Sequence, residues 1–270
     1  MKRRIPLVTF ALIGVNAAVY LLGPRANAQG GSAECARAVF EQRYGAVPWE
    51  LTHNQASSVD PVASVAGRIV HCPTPDFDKN PAVSALTSMF VHASAAHLIG
   101  NLIVLLAAGC AVERRMGSAR FAALYLMCGY TAAYGFAFSA PNDTSPLIGA
   151  SGAIAGVVAA HIWLRPRDPV IPLLAIPLLV PFPGPSWLVG QAGSNVAYPA
   201  HVVGLAVGLT LTALWVGRPT PPGMPMGRPP SMPAGVSYPL PFTERYGRAE
   251  SACSATPSRT RGPHPPRRSG

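Results

Sequence analysis

The chain has 270 residues, of which 49% are hydrophobic and only 12% charged, too few charges to cover a soluble globule of that length. A formal charge of +10 would point to nucleic acid in a soluble protein, but here it is concentrated at the two ends of the chain. No basic stretch is interleaved with aromatic residues, so nucleic acid is excluded as a partner.

What remains is a chain organised by six apolar blocks of near-bilayer length: Ile5 to Gly23, Ala96 to Val112, Arg120 to Ala140, Gly149 to Leu164, Pro169 to Val189 and Ala197 to Gly217. They predict an all-α membrane protein with six spanning helices. The first block follows Lys2, Arg3 and Arg4 and is followed by Ala26-Asn27-Ala28, a pattern that imitates a cleaved signal peptide. An apolar run of roughly 18 residues is long for a signal core and fits a span, so a retained first helix is expected.

Pro24 to Ala95 follows as a long extracytoplasmic loop after helix 1, with five basic and six acidic residues. It is too long for a mere connector and is expected to be partly structured or to rest on the membrane surface. It carries Cys35 and Cys72 on a face where a disulfide can form, although two cysteines at this spacing do not decide the matter. Cys110 and Cys128 fall inside spans and read as small packing residues.

Glu113, Arg114, Arg115 and Arg120 separate the second and third blocks, and Arg165, Arg167 and Asp168 separate the fourth and fifth. Every short basic connection falls on one face, so the positive-inside rule places both termini in the cytoplasm. Residues 1–218 form the membrane domain. Residues 219–270, rich in Pro, Gly, Ser and Arg without apolar periodicity, are expected to be a disordered cytoplasmic tail. An Ala- and Pro-rich chain of this kind suits a bacterial plasma membrane.

With the amino terminus inside, the second, fourth and sixth helices all run inward from the outer face, and their first turns share one depth. That rule gathers His97 and Asn101 from the second helix, Ser151 from the fourth and His201 from the sixth. His97 and Asn101, four apart, lie on one helical face. A serine hydroxyl is a weak nucleophile until a base takes its proton, and neutral imidazole does so and later returns it to a leaving amine. His97, Asn101 and backbone N–H groups around Ser151 are candidate donors to an oxyanion. No Asp or Glu in the spans lies at this depth to orient His201, so a dyad is expected. Gly152 and Gly156 form one small-xxx-small face and Gly204 and Gly208 another, which would let the fourth and sixth helices approach closely.

The Gly149-Ala150-Ser151-Gly152 run that opens a helix, Ala200-His201 followed by Gly204 and Gly208, and His92, His97 and Asn101 at their spacing together resemble the rhomboid intramembrane serine proteases. Glu113-Arg114-Arg115 resembles that family's Glu-x-Arg element. The resemblance covers roughly Pro6 to Gly217 and implies a six-helix rhomboid-like bundle. It further implies Ser151 as nucleophile and His201 as general base, an oxyanion site of His97, Asn101 and the Ser151 backbone, and a flexible loop at Gly149. His92 would have a structural role beside the site, and Glu113 with Arg115 a structural contact on the cytoplasmic side. Substrates would be single-pass membrane proteins in the lipid bilayer, cut in or near their spanning segment.

Two departures stand out. Ala155 occupies the position, four residues after the nucleophile, where the family usually carries an aromatic ring against the catalytic histidine. Five prolines, Pro172, Pro177, Pro181, Pro183 and Pro185, interrupt the fifth block and predict a kinked or unwound helix. They motivate the rival reading, an inactive or catalytically weak rhomboid-like protein that binds membrane clients. A transporter would need internal repeats and mid-membrane acids, and neither is found. His92, His97 and His201 lack a carboxylate or thiolate at ligand spacing, so neither a metal nor another cofactor is expected. His53, His71, His161 and His264 are scattered and read as structural or exposed. No feature bears on oligomeric state.

Overall fold

The computed structural model describes residues 5–24, 31–65, 67–73, 78–168 and 197–216, all of them in the unit Ile5–Gly223. In chain order they form α1 (Leu7–Leu22), α2 (Gly31–Tyr44), α3 (Pro48–His53), a hairpin of β1 (Val62–Val65) and β2 (Arg68–His71), and α4 (Pro81–Thr87). Then follow α5 (Ala95–Met116), α6 (Ser118–Ser139), α7 (Ser151–Leu164) and α8 (Tyr198–Val216).

Three of these helices, α5, α6 and α8, are long and apolar enough to cross a bilayer. The blocks expected as spans at Ile5 to Gly23 and Gly149 to Leu164 form shorter apolar helices of 16 and 14 residues. The fifth block, with its prolines, and the tail expected at 219–270 lie outside the described residues. One expectation is corrected outright: the chain is mostly helical but not all-α. Val62 pairs with His71 and Val65 with Arg68 in an antiparallel register, because β-branched residues favour a pleated strand and Gly67, at φ 78°, supplies the left-handed turn between them.

The bundle is built around α7. Gly152 to His161 are all buried, so this helix has no solvated or lipid-facing side over ten residues, as its unbroken Gly, Ala, Val and Ile composition requires. Phe121, Leu124 and Tyr125 of α6 and Leu105 and Val112 of α5 complete the core around it. Outward faces carry exposed apolar side chains such as Phe10, Ile103, Met127, Phe138 and Leu214, the distribution of a helix surface that meets hydrocarbon. Within α5, one π-turn at Leu105–Gly109 locally widens the helix where α1 crosses it. A Cβ on Gly109 would stand 3.1 Å from Thr9 Cγ2.

The start of α1 is capped from outside its own sequence. Pro6 at its N-cap offers no side-chain acceptor. Glu113 of α5 instead accepts from the Val8 N–H at 3.0 Å, the Thr9 N–H at 2.8 Å and the Thr9 hydroxyl at 2.7 Å, and also takes the Ser118 hydroxyl at 2.7 Å. A carboxylate at a helix N-terminus is doubly favoured, by the open N–H groups and by the helix dipole. Glu113→Gln keeps the shape but loses the charge on these bonds and is expected to cost about 2 kcal/mol, read as a lower unfolding temperature in detergent.

The segment from α2 to α4, expected to be partly structured or to rest on the membrane surface, forms a cap of short helices and a hairpin among its described residues. Cys35 and Cys72 are joined in a disulfide that ties α2 to the end of the hairpin. Lys79 and Glu50 form a buried ion pair at 2.5 Å, and Lys79 also donates to the Gly45 carbonyl at 3.1 Å while Glu50 accepts from Ser57 N–H at 3.0 Å. Burial holds the Lys79 ammonium below the ordinary lysine range, and the Glu50 carboxylate acts against that shift. The cap is fastened to the connection between α6 and α7: Ala46 and Leu147 exchange both backbone hydrogen bonds, at 2.9 and 2.8 Å, and Trp49 N–H donates to Asp143 O at 3.0 Å.

Candidate active site

Ser151 is the first residue of α7 and follows a backbone turn that only glycine adopts easily. Gly149 has φ 122°, and a Cβ there would also lie 2.7 Å from His97 Cε1, so both conformation and space exclude a side chain. The turn is held from the chain ahead of α5. Gly149 N–H donates to Ser88 O at 2.9 Å, and Ala150 N–H points to His92 Nε2 at 3.5 Å. Burial, with His97 beside it, pushes His92 down to about 3, so its imidazole is neutral and Nε2 can serve as that acceptor.

His201 comes from α8, and glycine brings the two helices together. A Cβ on Gly204 would be 2.1 Å from Gly152 O, and one on Gly208 would be 2.3 Å from Gly156 O. The backbones of α7 and α8 are therefore in direct contact at two successive turns. At the end of that seam where α7 and α8 begin, His201 Nε2 lies 2.8 Å from Ser151 Oγ, and the histidine is only 4% exposed. The serine hydroxyl donates to this nitrogen when the ring proton sits on Nδ1.

His97 lies in the first turn of α5, whose N-cap Ser94 accepts from its N–H at 3.1 Å. The His97 ring meets His92 edge-on, with centroids 5.2 Å apart, and packs on Gly149. Asn101, one turn further along the same face, is 4% exposed, and its Nδ2 has no hydrogen-bond partner among the described residues. A buried amide donor without an acceptor costs stability unless something occupies it. Ala150 adds no side-chain cap to α7, and the leading N–H groups of a helix have no partner within it. Two sets of donors thus lie on the elements that flank Ser151, on α5 and at the start of α7.

His92, His97, Gly149, Ser151 and His201 form one cluster, with Asn101 one turn along α5 from His97 and Gly152 and Gly204 at the helix seam beside it. The structure adds Ser88, whose carbonyl holds Gly149, and Tyr198, whose ring stands edge-on to His201 at 6.2 Å between centroids. The spacing of three between Tyr198 and His201 was the available signal for that contact. His161 is elsewhere, near the other end of α7. It is buried and bonded to Asp168 at 3.1 Å, not the partnerless group its isolation in sequence implied. His53 stacks on Trp49 at 4.5 Å, His71 is exposed on β2, and His264 lies outside the described residues.

A family model described as "Rhomboid domain" matches residues 79–218, a stretch that begins at the buried Lys79 and contains every residue of the cluster. The chain belongs to the rhomboid family. It is 41% identical over 80 residues to Rhomboid protease GluP of Bacillus subtilis (strain 168), covering 29% of this chain and 15% of that protein. YdcA of the same strain is 29% identical over 143 residues, 49% of this chain and 67% of its own length. Rhomboid protease GlpG of Salmonella paratyphi A (strain ATCC 9150 / SARB42) is 28% identical over 130 residues, 46% of this chain and 45% of its own. This chain thus spans less than half the length of GluP and of GlpG. Against the rhomboid pattern, Ala155 is fully packed, 1% exposed, and the aromatic ring beside His201 comes from its own helix as Tyr198.

Proposed function

We propose that this rhomboid is an intramembrane serine endopeptidase that hydrolyses single-pass membrane proteins in or near their spanning segment. The observation that carries the reading is the 2.8 Å approach of Ser151 Oγ to His201 Nε2 inside an otherwise apolar seam, since a nucleophile needs a base within about 2.6 to 3.2 Å. Ser151 Oγ attacks the scissile carbonyl carbon as its proton passes to His201 Nε2. The carbonyl oxygen becomes an oxyanion and takes hydrogen bonds from Asn101 Nδ2, His97 and the backbone N–H of Ser151, donors worth about 3 kcal/mol each in a site poor in water. His201 then protonates the leaving amine, and water, deprotonated by the same imidazole, hydrolyses the acyl-enzyme.

On this reading residues 1–218 are the membrane domain of a bacterial plasma-membrane protein, the dyad faces the outer side, both termini are cytoplasmic and 219–270 is a cytoplasmic tail; the basic residues that flank the apolar blocks support it. Asn101 supports the reading independently, because a buried and unpartnered donor is what a transient oxyanion requires. A fluorophosphonate probe is expected to label the purified protein in detergent covalently and to leave Ser151→Ala unlabelled. Equal labelling of the two proteins, or of neither, would overturn the reading in favour of a client-binding rhomboid without protease chemistry.

A further inference from the structure

The last carbonyls of a helix have no partner within it, and at the end of α2 three of them are taken by different parts of the chain. Glu41 O accepts from Gly45 N–H at 2.7 Å, Gln42 O from the Lys79 ammonium, and Tyr44 O from the Thr87 hydroxyl at 2.7 Å. Lys79 donates to Gly45 O as well, at 3.1 Å. One buried cation, 8% exposed, thus bonds carbonyls within and just beyond the last turn of α2, where the helix dipole favours positive charge. Glu50 of α3 holds the same ammonium in an ion pair, so Lys79 joins α3 to the end of α2.

The residues fixed in this way touch the chain that leads to Ser151. A Cβ on Gly45 would lie 2.7 Å from Pro146 Cβ and 2.9 Å from Ile148 Cγ2. Between those two, Leu147 exchanges both backbone hydrogen bonds with Ala46. Pro146, Leu147 and Ile148 directly precede Gly149, whose N–H donates to Ser88 O at 2.9 Å, and Ser88 follows the Thr87 that is bonded to Tyr44. Residues 44–46 therefore grip both segments that shape the turn before Ser151, one at Thr87 and the other at 146–148.

We propose that Lys79 is a positioning residue for the nucleophile: its ammonium, balanced by Glu50, fixes the end of α2 as a clip on 146–148 and so sets where the turn at Gly149 and Ala150 presents Ser151 to His201. Its part in hydrolysis rests on the protease reading above; the clip does not. The clip acts on the geometry of the reacting groups, so its loss falls on turnover and spares substrate binding.

The test uses the full chain. Lys79→Met keeps an unbranched apolar stem and removes the donors. In liposomes it is expected to lower kcat for a fluorogenic single-pass substrate roughly tenfold or more, as a displacement of reacting groups by less than about 1 Å does, with KM within about twofold. Fluorophosphonate labelling in detergent should slow by the same factor, and amide hydrogen exchange over 146–150 should quicken about threefold or more as the turn opens locally. This variant strands the Glu50 carboxylate in the interior and can lose stability for that reason alone. Lys79→Met combined with Glu50→Gln removes both charges: its unfolding temperature should return toward wild type while labelling stays slow. Recovery of labelling together with unfolding temperature would reduce the pair to a structural role and overturn the proposal. Gly45→Ala leaves the ion pair in place but presses on Pro146 and Ile148, and is expected to slow labelling likewise, whereas Arg68→Gln on exposed β2 should leave it unchanged. Unchanged exchange over 146–150 in Lys79→Met would overturn the clip. Faster exchange there, in a protein whose wild type takes no label, would refute the protease reading and leave the clip standing.

Discussion

Ser151→Ala and His201→Ala are each expected to reduce hydrolysis of a fluorogenic single-pass substrate in liposomes by roughly 10⁴ to 10⁶-fold, with little change in unfolding temperature. Without Oγ no acyl-enzyme forms; without the imidazole, the hydroxyl keeps its proton and the leaving amine receives none. Combining the two substitutions should cost no more than either alone, because the residues act as one unit. The fold is spared because Ser151 is at the first position of α7 and its side chain adds only the one hydrogen bond to His201, whereas the close backbone approach of α7 and α8 is made at Gly152 and Gly156. An activity of either variant within tenfold of wild type would rule out the dyad. A matched collapse of unfolding temperature would instead trace the loss to packing.

The second large effect is structural. Gly204→Ala would set a methyl group 2.1 Å from Gly152 O, closer than any real Cβ contact, and the obstacle is backbone that cannot rotate away. α8 must retreat from α7, at a cost of roughly 3 kcal/mol or more. The retreat also acts on the site three residues away. A displacement of about 1 Å at reacting groups lowers rates about 100-fold, so a folded remainder of Gly204→Ala should label slowly with fluorophosphonate. Gly14→Ala and Gly100→Ala, where a Cβ meets nothing within 4 Å, should shift stability by no more than about 0.5 kcal/mol. If Gly204→Ala matches these controls in unfolding temperature and labelling rate, the seam is not what joins the dyad.

What the sequence made legible follows from how local each signal is. The apolar blocks and their basic flanks marked the helices, and small residues at a spacing of four marked the α7 and α8 seam, because both patterns are periodic within one element. Ser151, His97, Asn101 and His201 were grouped by an expected shared depth of three helices, and the structure brings Ser151 within 2.8 Å of His201. The cap was not legible. Lys79 meets Glu50, and Cys35 meets Cys72, across 37 residues in the bonded cysteines' case, and nothing in either segment names the other. The hairpin escaped because four-residue strands are too short for a period of two to rise above composition. His161 looked isolated because Asp168, seven residues on, lies beyond the end of its helix, where helical spacing no longer applies. Tyr198 faces His201 from three positions ahead on the same helix, a spacing that by itself marks no site.

The cap on α1 bears on how the protein is made. The carboxylate that satisfies the Val8 and Thr9 amides lies 104 to 105 positions further along the chain, and synthesis proceeds from the amino terminus at about 5 to 20 residues per second. For some seconds after α1 leaves the ribosome, its first turn has open amides and no acceptor of its own. Those groups must stay among water or lipid headgroups until α5 has been inserted and delivers Glu113. α1 is therefore made before α5 but has its first turn satisfied only after α5 arrives.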